Sequence, residues 1–449
     1  MTPSRFNIVV PYTDQTKVLV NTLTGALDVV NSNVADYLAA PLCETACEET
    51  AFLSARGYLL EDSCTEQAVD EAMYPALLAA ERSRTSLQAV LILSFNCNLC
   101  CCYCWQQHRV VGKAFPIMSF EQADKALEAA RLLQEMLPDT APGPVYVRLF
   151  GGEPLIREHY ELVEHILKWC AERDYPVGIT TNGFELPYYQ RLFEIHPVQE
   201  LQITVDGDEQ THNSRRIGSD WKVLLDSVNK LIWRTNTIVK IRVNLDETVL
   251  SVLPTLANEI IDRSWYGTSQ IFCYVAPLRD VSMTSTRVLS KRVDLLQRFL
   301  SMQKEMPQLE CFHLLGWDGF HVLDSLIRTR RMPIPHASMC DINRGQFVFD
   351  PDGSIHLCSE ETMGSWDIVG SYYPEFKFDE GRFNEIYDNK AIDDALCRDC
   401  ALRPLCGGGC NLFHEYPEYR NVYCQVVWKT FVLAIQEYVD EIVNEENDK

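Results

Sequence analysis

Five cysteines fall within the eight residues Cys97-Asn98-Leu99-Cys100-Cys101-Cys102-Tyr103-Cys104, and no other stretch constrains the chain so strongly. Cysteines this crowded cannot meet the separation and dihedral of disulfides with one another. Read as C-x3-C-x2-C, Cys97, Cys101 and Cys104 put three thiolates on one tight loop, and Cys100 and Cys102 stand outside the spacing. Thiolates hold iron–sulfur clusters, four of them for a cubane of four irons. A loop that offers three leaves one iron for a small molecule to chelate. A zinc loop or a knot of buried thiols is the alternative.

The compartment follows from the rest of the cysteines. Eighteen would pair as disulfides only in an oxidising environment. Met1-Thr2-Pro3-Ser4-Arg5-Phe6 opens no signal-like apolar run, and no stretch nears the ~18 apolar residues of a membrane span. The expectation is a soluble cytoplasmic protein with reduced or metal-bound cysteines. A net charge of -23 argues against nucleic acid or an anionic membrane as partner. It leaves room for a basic peptide or a small molecule.

The chain of 449 residues is long enough for roughly three domains. Residues 1–62 read as a small α/β unit. Lys17–Asn21 and Ala26–Val30 flank a turn at Gly25, helices follow over Asn31–Ala40 and Glu49–Arg56, and Gly57–Leu60 closes as a strand. Cys43 and Cys47 have no second pair nearby, so a metal site there is not expected. Residues 63–86 carry helical spacing through Ala68, Ala72, Leu77, Leu78 and Ala79, and form a bridge. From 87 to 304, strand-like runs at 88–94, 145–150, 177–181, 201–206, 239–245 and 270–276 alternate with helical segments. One helix opens with a Ser119/Gln122 capping box. Six βα repeats predict a parallel sheet backed by helices, and eight would close a full barrel; the expectation is an open partial (β/α)6 barrel. Residues 305–339 read as a connector broken by Pro307, Pro333 and Pro335.

Ligands gather at the carboxyl ends of parallel strands, and the cysteine loop follows the first strand. Gly151-Gly152-Glu153-Pro154 follows the second. Its glycines allow close backbone approach, Glu153 can pair with an ammonium, and Pro154 fixes the turn; alone it would be a plain β–α turn. Thr180-Thr181-Asn182-Gly183 ends the third strand and Thr204-Val205-Asp206-Gly207 the fourth, each also readable as a capped turn. His212-Asn213-Ser214-Arg215-Arg216 comes next. Asn244 and Tyr274 fall at the same end of the sheet, without an assigned role.

A second cysteine array spans 340–424. Cys340 and Cys358 bracket a hairpin over Phe347–Ile355 with Pro351-Asp352-Gly353 as its turn, written C-x12-G-x4-C. Cys397-x2-Cys400-x5-Cys406-x3-Cys410 follows, wound through Gly407-Gly408-Gly409, and Cys424 comes after 13 intervening residues. Taken alone, the array also fits two zinc sites. Residues 425–449 are an amphipathic terminal helix with a frayed, charged end.

Together, the C-x3-C-x2-C loop with Tyr103 and the Gly-Gly-Glu-Pro turn resemble the radical S-adenosylmethionine (SAM) family. Cys340 to Cys424 is similar to that family's C-terminal SPASM extension. The resemblance implies that Cys97, Cys101 and Cys104 hold a 4Fe–4S cluster whose open iron binds SAM. It implies SAM contacts at Tyr103, Gly151, Gly152, Glu153 and Pro154, with Thr181, Asn182, Thr204 and Asp206 near the ribose or substrate. Arg216 is the implied guanidinium for the methionine carboxylate. One auxiliary 4Fe–4S cluster falls to Cys397, Cys400, Cys406 and Cys424, and another to Cys340, Cys358 and Cys410. Ile334 stands where relatives carry a further cysteine; the alternatives are Cys311 or His336 as a substitute, or an iron left open for substrate. The implied activity is reductive SAM cleavage followed by hydrogen abstraction from a ribosomally made precursor peptide, giving a thioether or carbon crosslink. The implied partners are a leader-bearing peptide, read by a winged-helix-like unit at 1–62, and a flavodoxin- or ferredoxin-type reductant. Two alternatives stay open. One is a sulfatase-maturing enzyme, for which an acidic residue is wanted directly after Cys358; the chain has Ser359, then Glu360 and Glu361. The other is a non-enzymatic iron–sulfur or zinc scaffold.

Overall fold

A computed structural model describes residues 1–39, 48–61, 63–104, 106, 115–137, 143–279, 285–360, 364–388 and 393–447. Cys43, Cys47, Glu361 and the last two residues lie outside this set. The chain divides into two compact units, one of Arg82–Gly316 with Arg344–Tyr387, the other of Met1–Glu81 with Trp317–Asn343 and Asp388–Lys449.

The first of these is built on one sheet. Its strands are β1 (Gln88–Ile92), β2 (Tyr146–Phe150), β3 (Val177–Thr181), β4 (Glu200–Thr204), β5 (Ile238–Leu245), β6 (Ile271–Pro277) and β7 (His313–Leu314). Four more follow, β8 (Gln346–Phe349), β9 (Ser354–His356), β10 (Ile368–Ser371) and β11 (Lys377–Phe378). In space they run β7-β6-β5-β4-β3-β2-β1-β8-β9-β10-β11. The pairs from β7 through to β8 are parallel and those from β8 to β11 antiparallel. The order has two ends, so the barrel is partial, as expected. Two features go beyond the sequence reading. The connector supplies a seventh parallel strand, β7, and the hairpin after Cys340 joins the sheet alongside β1.

Period-2 alternation explains the two faces of this sheet. Val147, Leu149, Ile179, Leu201, Ile203, Val239, Ile241 and Val243 are fully buried. Their neighbours on the other face are polar: Arg148, Thr180, Gln202, Thr204, Lys240, Arg242 and Asn244. Helices fill the crossovers: α1 (Phe120–Met136), α2 (Tyr160–Ala171), α3 (Leu186–Ile195), α4 (Glu209–Arg215), α5 (Trp221–Arg234), α6 (Glu247–Asp262) and α7 (Arg292–Glu305). Their starts are written in short polar side chains. Ser119 and Gln122 form the expected capping box on α1, and Asp208, Asp220 and Asp246 cap α4, α5 and α6.

The other unit opens with an antiparallel meander of Asn7–Pro11, Thr16–Asn21 and Ala26–Asn31, and Thr2–Pro3 pairs with Leu59–Leu60. The sequence reading held the second and third of these strands and missed Asn7–Pro11, a five-residue run ended by a proline. Helices cover Ser32–Ala39, Glu48–Ala55 and Ser63–Arg82. In place of a featureless connector, His321–Thr329 is a helix that buries Val322, Leu323 and Leu326. It packs on the terminal helix, where Gly319 lies so close to the Val427 carbonyl that a Cβ would sit 2.7 Å from it. That terminal helix spans Pro417–Asn447, so it starts ahead of residue 425 and carries Cys424 within it. Among the described residues no helix is long and apolar enough to cross a membrane.

The hairpin of β8 and β9 is locked by a buried polar chain. His356 lies 3.1 Å from both Asp350 and Asp367. Burial pulls its pKa down, but the two carboxylates outweigh that and hold it up at about 9. Asp367 also accepts the Leu357 and Cys358 amides at 3.1 and 2.8 Å. Asp367→Ala strands three buried donors, each costing about 1–3 kcal/mol. The expected outcome is a loss of about 3 kcal/mol or more and a lowered thermal midpoint of the intact protein. Asp367→Asn, which keeps an acceptor, should lose less.

Candidate active site

The polypeptide beyond β1 and β2 is forced into contact because the register sets Ile92 beside Phe150. The Gly152 amide donates to the Ser94 carbonyl at 2.9 Å and the Glu153 amide to the Asn96 carbonyl at 2.8 Å. A Cβ on Gly152 would lie 2.1 Å from the Asn96 carbonyl oxygen and one on Gly151 would lie 2.6 Å from that of Ser94. Gly151 also has φ of +124°, a conformation that side chains oppose. The two glycines therefore let the turn lie directly on the strand that leads into the cysteine loop.

Glu153 is buried at the end of this turn. Its carboxylate accepts from the Leu155 amide at 2.9 Å, from Thr181 Oγ1 at 2.6 Å and from the Asn182 amide at 2.6 Å. Burial pushes its pKa above the ordinary carboxyl range while these three donors pull it back. Asn182 then reaches the cysteine loop, donating to Asn98 Oδ1 at 2.8 Å and pointing at Cys97 Sγ from 3.8 Å. Pro154 is turned away from the cavity, and its carbonyl accepts from His159 Nδ1 at 3.1 Å.

The loop itself is pinned on its far side. Cys100 and Cys101 pair antiparallel with Ile217 and Arg216, and the Cys102 amide donates to the Arg215 carbonyl at 2.9 Å. Tyr103 is the hub. Its hydroxyl donates to Asp206 and accepts from Arg216 Nη1 at 2.7 Å and Asn244 Nδ2 at 3.2 Å. Asp206 is fully buried beneath it, so its contact is with Tyr103 and not with the cavity. The Asp206 amide in turn donates to His212 Nδ1 at 3.1 Å, while His212 Nε2 lies 2.9 Å from Ser219 Oγ. Burial, with Arg216 and Arg215 nearby, pushes His212 down to about 3, so it is neutral.

Cys97, Cys101 and Cys104 line one cavity of about 240 Å³, shared with Tyr103, Gly151, Gly152 and Glu153. Thr181, Asn182, Thr204 and Arg216 complete the predicted residues that reach it. Cys100 and Cys102 are exposed outside. The three thiols are unpaired, and the Leu99 amide donates to Cys97 Sγ at 3.4 Å. Desolvation, then Glu153, pushes Cys97 up to about 12; burial pushes Cys101 to about 11 against the pull of Arg216. A metal strips such thiols of their protons, and amide donors with a guanidinium nearby then suit the thiolates. The donor set fits a cluster with three protein ligands. No group of three or more His, Cys, Asp or Glu among the described residues is gathered as for a single metal ion; in a cubane each thiolate takes its own iron.

Sequence reasoning missed Asn98 and, in the cavity wall, Gln202, Arg242, Arg279 and Glu360. Strand alternation marks Gln202 and Arg242 as inward once the register is known. Nothing local marks Arg279, and Glu360 is marked only by its nearness to Cys358; the two meet at 3.1 Å.

The second array is partly assembled within the other unit. Cys406 is buried among Asp318, Cys397, Cys424 and Cys400, and burial lifts its thiol well above the ordinary range. Arg420 reaches Cys397 Sγ at 3.3 Å and pairs with Asp394 at 2.6 Å. Cys410 is a close neighbour of Cys340. Cys358 belongs to the sheet unit, on the segment after β9. Cys311 lies beside Cys273, and His336 faces Glu81 at 3.4 Å with its ring 5.9 Å from that of His321.

Two outcomes follow. Gly152→Ala has no room against the Asn96 carbonyl, so the purified variant should carry less iron per chain than the wild type. For His212, the unfolded chain binds a proton below about pH 6.5 and the folded one only near 3. Its contribution is intact above 6.5 and is lost as pH falls, about 1.4 kcal/mol between pH 7.5 and 5.5. Unfolding free energies from urea titration at those two pH values should differ by that much more in the wild type than in His212→Gln.

Residues 91–250 match the radical SAM superfamily. Over 359 residues the chain is 23% identical to a cysteine-type anaerobic sulfatase-maturating enzyme of Clostridium novyi, covering 74% of this chain and 90% of that one. The solved structure of native anSMEcpe with bound AdoMet and Cp18Cys peptide shares the fold at a TM-score of 0.57 and 16% identity, over 80% of this chain and 99% of that one. Streptococcus suis SuiB bound to precursor peptide SuiA shares it at 0.53 and 15%, over 92% and 95%. Two other curated relatives are spanned over only 26% and 43% of their own length. The three thiols and the Gly-Gly-Glu turn around one cavity lie within a radical SAM domain, the stretch of residues 91–250.

Proposed function

We propose that the protein is a radical SAM peptide maturase that crosslinks a ribosomally made precursor peptide. The observation that carries this is the convergence of Cys97, Cys101 and Cys104 with the Gly151-Gly152-Glu153 turn on one cavity at the carboxyl end of a parallel sheet. When bound, the cluster and SAM supply a 5′-deoxyadenosyl radical that takes hydrogen from a substrate carbon. The chain's own residues bind and orient. Arg216 offers a guanidinium to the methionine carboxylate, and the Glu153 turn lies where an amine can be received. Asn182 and the Leu99 amide steady the Cys97 sulfur, while Tyr103 holds the loop to β4 and β5.

The C-terminal cysteines are the proposed auxiliary sites, with Cys397, Cys400, Cys406 and Cys424 on one 4Fe–4S cluster and Cys340, Cys358 and Cys410 on another. Clusters held there would supply an acceptor for the electron that a substrate radical must lose, and an external flavodoxin- or ferredoxin-type protein would supply the one that starts the reaction. The leader is taken by residues 1–62. In their meander, the Asn7–Pro11 side meets the terminal helix through Gln436 at Pro11 and Asp440 at Tyr12. Ala26–Asn31 forms the other edge, with Val29 exposed, and an added strand would pair there.

A sulfatase-maturing role is the second reading. It is supported by the length of the Clostridium novyi match and by Glu360, which brings a carboxylate to the cavity although it is not the residue after Cys358.

The test is anaerobic. With SAM and dithionite the protein should release 5′-deoxyadenosine, and Cys97→Ala, Cys101→Ala and Cys104→Ala should each abolish it. Iron and sulfide should approach about twelve of each per chain, four per cluster. A leader-bearing peptide encoded beside the gene should lose two hydrogens by mass only in the intact chain, and removal of residues 1–62 should stop this. Equal turnover of a short cysteine peptide by both forms would replace the crosslinking role with the sulfatase one.

A further inference from the structure

Among the described residues, three arginines line the cavity of a chain whose net charge is -23. Two are accounted for. Arg216 donates to the Tyr103 hydroxyl at 2.7 Å beside Cys101, and Arg279 meets Glu360 at 3.1 Å. Among the described residues the wall has two carboxylates, and both are taken, Glu360 by Arg279 and Glu153 by its three donors.

Arg242 differs. It sits on β5 opposite Thr204 of β4 and Tyr274 of β6. Its partners among the described residues are neutral: Nε donates to Asn244 Oδ1 at 2.8 Å, and the guanidinium lies beside the Tyr274 hydroxyl. A cation held only by neutral groups becomes costly once a ligand displaces the water around it, unless the ligand brings an anion. The planar fork of a guanidinium matches a carboxylate with two hydrogen bonds. SAM has one carboxylate, and Arg216 already stands at the cluster loop to take it.

We propose, resting on the peptide-modifying reading, that Arg242 is a specificity-determining residue that grips a carboxylate of the substrate, an acidic side chain near the carbon that loses hydrogen. The same arginine is joined to the cysteine loop. Asn244 accepts from Arg242 and donates to the Tyr103 hydroxyl at 3.2 Å, so the substrate anion and the cluster loop share one hydrogen-bonded chain.

The test is calorimetric titration of capped glutamate (N-acetyl-L-glutamate N′-methylamide) into anaerobic holoenzyme saturated with SAM and without reductant. The glutamine counterpart is the control. Capped glutamate should bind one per chain and at least tenfold more tightly than glutamine. Arg242→Gln should erase that preference, and Arg242→Lys should keep part of it, both at wild-type iron content. Equal binding of the two ligands overturns the proposal, as does a preference that survives Arg242→Gln. A preference seen only without SAM overturns it too, since Arg242 would then serve the methionine carboxylate. Failure of the peptide-modifying reading looks different: no peptide changes mass, yet capped glutamate still binds through Arg242.

Discussion

Two backbones lying against each other without an intervening side chain set the geometry of this site. Because β1 and β2 end in register, the segments beyond them meet at once, and only glycine at positions 151 and 152 leaves room for the carbonyls of Ser94, Phe95 and Asn96. From that contact Glu153 reaches β3 through Thr181 and the Asn182 amide, and Asn182 returns to Cys97 and Asn98. Tyr103 closes the other side by joining the loop to Asp206, Arg216 and Asn244. The cysteines are thereby held from both flanks by the protein's own hydrogen bonds.

The sheet that supports this loop treats its two faces differently. Toward the helices it is apolar and fully buried. Toward the cavity it carries a polar ladder, in which Glu200 meets Lys240 at 2.6 Å and Arg148 at 3.5 Å, and Tyr274 donates to Gln202 at 2.9 Å. A closed eight-stranded barrel packs its interior with apolar side chains. A partial barrel with charged inward residues keeps that space for a polar ligand. The acidic composition of the chain does not extend to the described residues of the cavity wall, where arginine outnumbers carboxylate.

Much of the strand and helix pattern was legible because it is written locally. Alternation marked β2, β4 and β5, the Ser119/Gln122 box marked the start of α1, and Pro351-Asp352-Gly353 marked a turn. The misses have two causes. Asn7–Pro11 and His313–Leu314 are short strands that take their form from partners distant in sequence, whereas His321–Thr329 carries a helical spacing in Val322, Leu323 and Leu326 that the flanking prolines and glycines masked. At the site, Cys97, Cys101, Cys104 and Glu153 were visible from spacing. Asp206 was read as a cavity residue, yet the structure puts it beneath Tyr103, because its strand has already turned when the chain reaches it. Arg279 and Glu360 come from separate loops and carry no motif.

By itself the amino-acid order determined what covalent spacing can determine: three thiols on one loop, glycines where the chain must bend tightly, and strands alternating with helices. Spacing along a chain fixes such things because consecutive residues cannot separate. Which side chains face one another across the cavity was decided only in three dimensions. Strand register and twist accumulate over the sheet, and they alone bring Arg242, Asn244 and Tyr103 into one chain of hydrogen bonds.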